Sequence, residues 1–301
     1  MSIFNSDNIN DTWLYIIQNY RLPKTATAIL VGSGLSISGL LMQTLFRNPL
    51  AGPFVLGISS GASLGVAMVI LGAGIFGLQA FALSNFSLAI ASSFGAFLVL
   101  FVVLIVSKNI RNTTSILIIG LMFGSLTSAI ISVLAYFSSA EQLQQFMFWS
   151  FGSLGNLTWQ ELQLFFIVYL IGIISILFLL KPLNTLLLGE NYAKSLGVNI
   201  KKTRTHIILV TAILTGIITA FSGPIAFIGL AVPHLAKMIF NTSNHKILLP
   251  ASFLIGSIVM LFSDTIAQIP NSAYTLPINA ITSIFGAPVV IWLLIRKRRI
   301  V

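Results

Sequence analysis

The run KPLNTLLLGENYAKSLGVNIKKTR, residues 181–204, decides how this chain is arranged. It contains five of the sixteen lysines and arginines, and the apolar runs on both sides of it are long enough to enter a bilayer. Because charged side chains are costly in hydrocarbon, the run has to lie in water at one face of a membrane. Its pattern predicts two short helices over 184–188 and 191–196, with Gly189 and Gly197 as the breaks.

Composition indicates the class of protein. Apolar residues make up 56% of the chain and charged residues only 7%, whereas a soluble domain carries about 25% charged residues. The chain is therefore predicted to be a polytopic membrane protein. Its net charge of +10 lies in short loops between apolar runs, so a nucleic-acid partner is not expected. The absence of cysteine excludes disulfides, thiolate metal sites and thiol catalysis.

Nine apolar segments are predicted to form a bundle of transmembrane helices. They span residues 25–46, 54–73, 86–107, 114–136, 162–180, 205–222, 225–240, 248–267 and 277–295. Because nine is odd, the two termini are expected on opposite sides of the membrane. Residues 1–20 contain two acids and no base, and they are predicted to be a short polar tail on the outer side. The architecture is thus one all-α transmembrane domain over residues 1–301.

The distribution of lysines and arginines indicates the orientation of the chain in the membrane. With the C-terminus inside, fourteen of the sixteen lysines and arginines fall in inner loops, and only Arg21 and Lys24 remain outside. This asymmetry predicts a cytoplasmic C-terminus. It also places residues 181–204 in the cytoplasm as a docking surface.

Regularly spaced glycines predict helix contacts. Gly57, Gly61 and Gly65 recur at every fourth residue, as do Gly120 and Gly124. Small residues at this spacing let helix backbones approach closely, so a packing role is preferred to a role in lining a path.

Two segments are predicted to be irregular. Gly223 and Pro224 join two apolar runs, and Pro233 follows within the second, which indicates a broken or re-entrant backbone. The polar and aromatic run over 137–161 indicates a helix at the outer interface, anchored by tryptophans at headgroup depth.

Catalytic signals are weak. The chain has neither a G-x-x-x-x-G-K-[ST] phosphate loop nor an H-E-x-x-H zinc helix. His206, His234 and His245 lie far apart in sequence, so ordinary hydrogen bonding is preferred to a metal site. Asp264 is the one acid within an apolar segment, and a structural role is preferred because proton relays need several such groups. An enzyme is therefore not expected, nor is a bound cofactor or metal.

Four stretches of the chain carry a resemblance to a known family. They are 21–65, RLPKTATAILVGSGLSISGLLMQTLFRNPLAGPFVLGISSGASLG; 186–198, LLLGENYAKSLGV; 222–237, SGPIAFIGLAVPHLAK; and 276–294, LPINAITSIFGAPVVIWLL. They resemble, in one continuous order, the permease subunits of binding-protein-dependent ABC importers for iron-siderophores, haem and vitamin B12. The resemblance implies a bacterial cell-membrane protein with ten helices, of which this chain lacks the first. It also implies two inverted halves, with bends at Ser38–Gly39 and Ser222–Gly223.

The resemblance assigns a coupling role to residues within 181–204. In the family such residues insert into a cleft on a separate ATP-hydrolysing subunit and pass its closure to the membrane helices. The matching positions are Leu188, Gly189, Glu190, Ala193, Leu196 and Gly197.

Two further sites follow from the resemblance. Arg21 and Lys24 match bases that pair with glutamates of an extracellular binding protein, while Gln268 stands where the vitamin B12 permease has a third base. The inner gate is expected at Asn112, Thr113 and Thr114.

The expected function is that of a permease subunit for iron(III)-siderophore uptake, preferred because most family members carry such cargo. Haem or vitamin B12 is the alternative within the family, and an ion-coupled secondary transporter is the alternative of another class. The expected partners are an ABC ATPase, a substrate-binding protein, a second permease subunit and membrane lipid. ATP is expected to bind to the partner ATPase only.

Overall fold

A computed structural model describes residues 11–73, 85–107, 110, 113–155, 157–268 and 275–297. These residues form an all-helical bundle, with an isolated bridge between Gln268 and Thr275. The all-α prediction is confirmed.

The helices are numbered here in chain order. They are α1 (Asp11–Ile16), α2 (Leu22–Phe46), α3 (Ile58–Ile70), α4 (Asn85–Ser107), α5 (Thr113–Tyr136), α6 (Ala140–Ser150), α7 (Trp159–Leu177), α8 (Leu180–Leu186), α9 (Glu190–Ser195), α10 (Ile200–Ser222), α11 (Ile228–Phe240), α12 (His245–Ala267) and α13 (Ile278–Lys297).

Each predicted apolar segment contains one helix of the bundle. In the described part of the chain, six helical stretches are long and apolar enough to cross a membrane, the first being Asp11–Phe46. The other three predicted segments contain shorter apolar helices, at Ile58–Ile70, Ile228–Phe240 and Ile278–Trp292. The multi-pass arrangement is confirmed, and the count of nine crossings stays a prediction.

The N-terminal region differs from the predicted polar tail. Residues 11–20 are helical, and a π-helical turn at Ile17–Arg21 joins α1 to α2 in one long rod. Trp13, Tyr15 and Tyr20 are exposed along its first turns. Trp13 was predicted from the sequence to belong to an interfacial aromatic belt, and exposed aromatic residues at these positions favour such an interface.

Helix α2 is the centre of the bundle. Most of its side chains are buried, and it packs against α10, α11 and α12. Every residue from Leu30 to Leu45 is buried, so all faces of α2 are covered, as in a helix surrounded by other helices.

The predicted glycine contacts are confirmed for Gly61, Gly65 and Gly120, whereas Gly124 faces only the Ser60 hydroxyl. A methyl group on Gly61 would collide with the Gly95 carbonyl of α4, and one on Gly65 with the Ala91 carbonyl. A methyl group on Gly120 of α5 would likewise meet the backbone of Val55. The missing side chains therefore bring α3, α4 and α5 into backbone contact.

The predicted break after α10 is confirmed, whereas the predicted bend at Ser38–Gly39 is wrong. Helix α10 ends at Gly223, which has a φ of 72°, and a non-helical stretch leads to Ile228. Ser38 and Gly39 instead lie within continuous α2, where Gly39 faces the backbone of Gly229. Two adjacent small residues are compatible with a helix bend and with a close contact between helices. In this structure they form a contact.

The predicted helix within 137–161 is α6. Ser139 and Gln142 form a reciprocal capping box at its start, since each side chain bonds the backbone of the other. Trp149 stacks on Phe146, with 6.2 Å between the ring centroids, and both rings pack on a buried cluster below α6. Its depth at the outer interface stays a prediction.

Candidate coupling hairpin and docking bases

Helices α8 and α9, with the residues that follow to Val198, form a compact unit that we call the coupling hairpin. Gly189 starts α9 with a φ of 120°, and Gly197 follows it with a φ of 83°. Residues with a Cβ rarely adopt these angles, which explains why glycine occupies both breaks. Asn199 then caps α10 by accepting a hydrogen bond from the Lys202 amide at 3.1 Å. Two short helices are confirmed, but the first is Leu180–Leu186 instead of the predicted 184–188, while the second lies within one residue of its predicted bounds.

Apolar side chains of the hairpin point away from the bundle. Leu188 is 63% exposed, Leu196 58% and Tyr192 57%, whereas Ala193 is fully buried. A cluster of exposed apolar residues among lysines is typical of a protein docking surface. Of the six residues predicted to couple, Ala193 thus lies inside the hairpin, where it supports the exposed ones.

An open groove lies where the hairpin meets the end of α2, with a volume of about 620 Å³. It is lined by Leu45, Phe46, Arg47, Leu188, Gly189, Glu190, Asn191 and Tyr192. Arg47 has a left-handed backbone at the end of α2 and donates a hydrogen bond to the Leu186 carbonyl. The Leu186 carbonyl also accepts from the Gly189 amide at 3.1 Å, so the arginine adds a second hydrogen bond at the end of α8.

Glu190 connects the hairpin to α10. Its carboxylate lies 3.1 Å from the guanidinium of Arg204, which also donates to the Ile110 carbonyl at 3.2 Å. The fork of donors on arginine allows one side chain to hold two elements.

A buried polar cluster connects the hairpin to α12 and α2. Asn184 of α8 lies 2.9 Å from the His245 ring, whose other nitrogen lies 2.8 Å from the Thr44 hydroxyl. His245 is 1% exposed. The hydrogen-bonding role predicted for this histidine is confirmed, and His234 likewise bonds the Pro49 carbonyl at 2.8 Å.

The opposite end of α2 carries the predicted docking bases. Arg21 is exposed, but Lys24 is partly buried and forms an ion pair of 3.0 Å with Asp264. The Gln268 amide donates to the other oxygen of Asp264 at 2.8 Å. The preferred structural role of Asp264 fits this network. Sequence reasoning listed these residues separately and missed the pair, because α2 and α12 are distant in the chain.

The predicted gate residues are only partly described. Asn112 lies outside the described residues, and the side chains of Thr113 and Thr114 do as well. Thr113 is the first residue of α5. The gate assignment therefore stays a prediction.

Within the residues that the structure describes, no group of three or more His, Cys, Asp or Glu side chains could hold a metal ion.

Comparison with known proteins identifies relatives that match more than nine-tenths of the chain. The model of the FecCD transport family matches residues 1–296. The vitamin B12 import system permease protein BtuC of Klebsiella pneumoniae is 39% identical over 283 residues, covering 94% of this chain and 83% of that protein. The protein of the same name from Salmonella typhi is 36% identical over 284 residues, covering 93% and 83%.

Solved structures agree with the sequence relatives. An inward-facing conformation of a metal-chelate type ABC transporter matches with a TM-score of 0.86 at 33% identity, covering 98% of this chain and 91% of that one. PsaBC from Streptococcus pneumoniae, solved in complex with Fab, matches with a TM-score of 0.58 at 16% identity and shares the fold.

Proposed function

The chain belongs to the FecCD transport family and is a permease subunit of an ABC importer; we propose that its cargo is vitamin B12. Two relatives with that named cargo match more than nine-tenths of the chain at 39% and 36% identity, and this observation carries the proposal. The preference for iron(III)-siderophores rested on how common such cargo is in the family and on no residue of this chain. The vitamin B12 alternative therefore takes first place, ahead of siderophore and haem.

The chain itself is not an enzyme, and ATP hydrolysis belongs to a partner subunit. The coupling hairpin is our candidate for the surface that receives this ATPase. Its exposed Leu188, Leu196 and Tyr192 supply apolar contact area, and the adjoining groove supplies a recess. Surrounding lysines make the surface positively charged, which would speed its association with an acidic cleft on the ATPase.

In the proposed cycle, ATP binding shifts the equilibrium between two conformations of the complex. ATP binding brings two ATPase subunits together, and the hairpins of two permease subunits pass that motion to the bundle. The bundle then opens toward a binding protein that delivers the cargo. Such a cycle requires that ATP interacts differently with the two conformations of the complex. The second permease subunit is either a copy of this chain or a related one.

Docking of the binding protein is proposed at the far end of α2, near Arg21 and Lys24. Arg21 is exposed and open to an incoming carboxylate. Lys24 is already paired with Asp264, so a docking carboxylate would have to compete with it. With this arrangement the hairpin and the C-terminus face the cytoplasm, in agreement with the distribution of bases.

The cargo can be tested by uptake competition. The complex of this chain, its ATPase and its binding protein is reconstituted in liposomes with ATP and labelled vitamin B12. Excess unlabelled vitamin B12 is expected to abolish the labelled uptake, while a ferric siderophore and haem leave it unchanged. No uptake of labelled vitamin B12, together with ATP-dependent uptake of a labelled ferric siderophore or of labelled haem, would replace the proposed cargo with that compound.

A further inference from the structure

Helices α2 and α12 form an antiparallel pair that runs through the bundle. In the middle of the pair, Gly32 and Gly256 bring the two backbones into contact, and neither position has room for a methyl group. The Ser257 hydroxyl also donates to the Ile29 carbonyl at 3.4 Å. Close backbone packing of this kind leaves the two helices little freedom to slide independently.

Both ends of the pair are joined by polar side chains. Lys24 and Asp264 form the ion pair at one end, and Thr44 and His245 form a hydrogen bond at the other. The twenty helical steps from Lys24 to Thr44 span about 30 Å, which is about the thickness of the hydrocarbon core of a bilayer. The pair is thus fastened at both ends and packed between them.

The protons of the His245 ring can be assigned from its partners. Asn184 Oδ1 accepts from the His245 amide nitrogen at 2.8 Å and lies 2.9 Å from Nδ1. An amide oxygen can only accept, so Nδ1 carries the proton. A buried ring without an acidic partner is favoured in the neutral form, which leaves Nε2 as an acceptor. The Thr44 hydroxyl therefore donates to Nε2 at 2.8 Å and shares its one proton with the Leu40 carbonyl of its own helix at 2.9 Å.

The Asn184 amide completes the link on the hairpin side. Its Nδ2 donates to Asn244 Oδ1 at 3.0 Å, and Asn244 is the N-cap of α12. One side chain of α8 thereby holds both the cap and the first residue of α12. Displacement of α8 cannot leave the start of α12 in place without breaking these bonds.

We propose that His245 is a positioning residue that transmits motion of the coupling hairpin to the α2–α12 pair, and so to the docking bases at its far end. The proposal rests on the function proposed above, because it assumes an ATPase on the hairpin and a binding protein near Lys24. The Arg47 contact also ties the hairpin to α2, but its side chain is at the surface. Buried bonds are stiffer restraints than exposed ones, which are exchanged with water.

Thr44 is the residue at which the link can be cut cleanly. Thr44→Val keeps the shape of the side chain and removes the hydroxyl that donates to His245. Thr27→Val is a matched control, because Thr27 is also buried in α2 and its recorded hydrogen bond is to the Pro23 carbonyl of its own helix. Thr44→Ser restores the hydroxyl and serves as the conservative rescue.

The test uses the reconstituted complex with its ATPase and binding protein, and measures vitamin B12 molecules imported per ATP hydrolysed. Substitutions within a coupling network change the coupling about two- to thirtyfold. Thr44→Val is expected to lower the ratio at least about fivefold, while Thr27→Val and Thr44→Ser stay within about twofold of the parent complex. A purely structural role would lower the amount of assembled complex without changing this ratio.

Each outcome decides one question. If the parent complex imports cargo with ATP and Thr44→Val behaves like Thr27→Val, the transmission role of His245 is overturned while the proposed function stands. If the parent complex shows no ATP-dependent import of any chelate, the proposed function fails and the transmission role fails with it.

Discussion

The carboxylate of Glu190 lies 3.1 Å from the guanidinium of Arg204, so the second helix of the coupling hairpin is tied to the start of α10. Arg204 is 13% exposed and Glu190 40%, which places the pair at the margin of the bundle. A partly buried pair with arginine holds its geometry better than a pair of flexible surface chains.

Glu190→Ala is therefore expected to uncouple ATP hydrolysis from import. The variant removes the tie to Arg204 but leaves the hairpin backbone unchanged, so the complex still assembles. Import per ATP is expected to fall about fivefold or more while basal ATP hydrolysis persists. Lys202→Ala is the control, since Lys202 is an exposed base near the same pair. Unchanged import in Glu190→Ala would remove Glu190 from coupling.

The two hairpin glycines are expected to respond differently to alanine. A methyl group on Gly197 meets open space, so only the left-handed backbone costs stability, by about 1 kcal/mol. Gly189, with a φ of 120° and a ψ of 145°, lies in a region that is open almost only to glycine, so its substitution costs about 2–3 kcal/mol. Thermal unfolding of the two purified variants measures the difference. Equal losses of stability would contradict the backbone explanation.

Charge reversal of Arg21 and Lys24 together is expected to weaken binding-protein docking. Affinity at low salt should fall at least about tenfold, and its dependence on salt should become weaker, because rim charges steer association. Asp264→Asn is the informative partner variant. It releases Lys24 from its ion pair, so the binding protein is expected to bind more tightly. The dissociation constant of the binding protein for the reconstituted complex measures this effect. Unaltered affinity in the double reversal would exclude these bases from the interface.

Packing at the centre of the bundle gives a prediction of stability. A methyl group on Gly39 would collide with the Gly229 backbone, so Gly39→Ala is expected to destabilise the chain by about 1–3 kcal/mol. Gly124→Ala is the control, because its added methyl group meets only the Ser60 hydroxyl, at 3.3 Å. The free energies of unfolding of the two variants are compared in detergent. A larger loss for Gly124→Ala would contradict the assigned contacts.

Local features of the sequence were sufficient to predict the coupling hairpin. Its bases, glycine breaks and flanking apolar runs all lie within residues 181–204, so its exposure and its two helices follow from short-range rules. The bundle class followed in the same way, from composition and from the length of the apolar segments.

Contacts between distant segments were beyond the reach of the sequence. The pairs Lys24–Asp264 and Thr44–His245 form only because α2 and α12 pack antiparallel, and no local pattern specifies that neighbour. The bend predicted at Ser38–Gly39 failed for the same reason, since the partner of Gly39 is the distant Gly229.

The central claim is that this chain is a conduit driven by a separate ATPase through its coupling hairpin. The most direct measurement compares vitamin B12 uptake into liposomes that contain this chain with its binding protein, with and without the ATPase. Uptake is expected only when the ATPase and hydrolysable ATP are both present. Uptake by the chain without the ATPase, driven by an ion gradient, would contradict it.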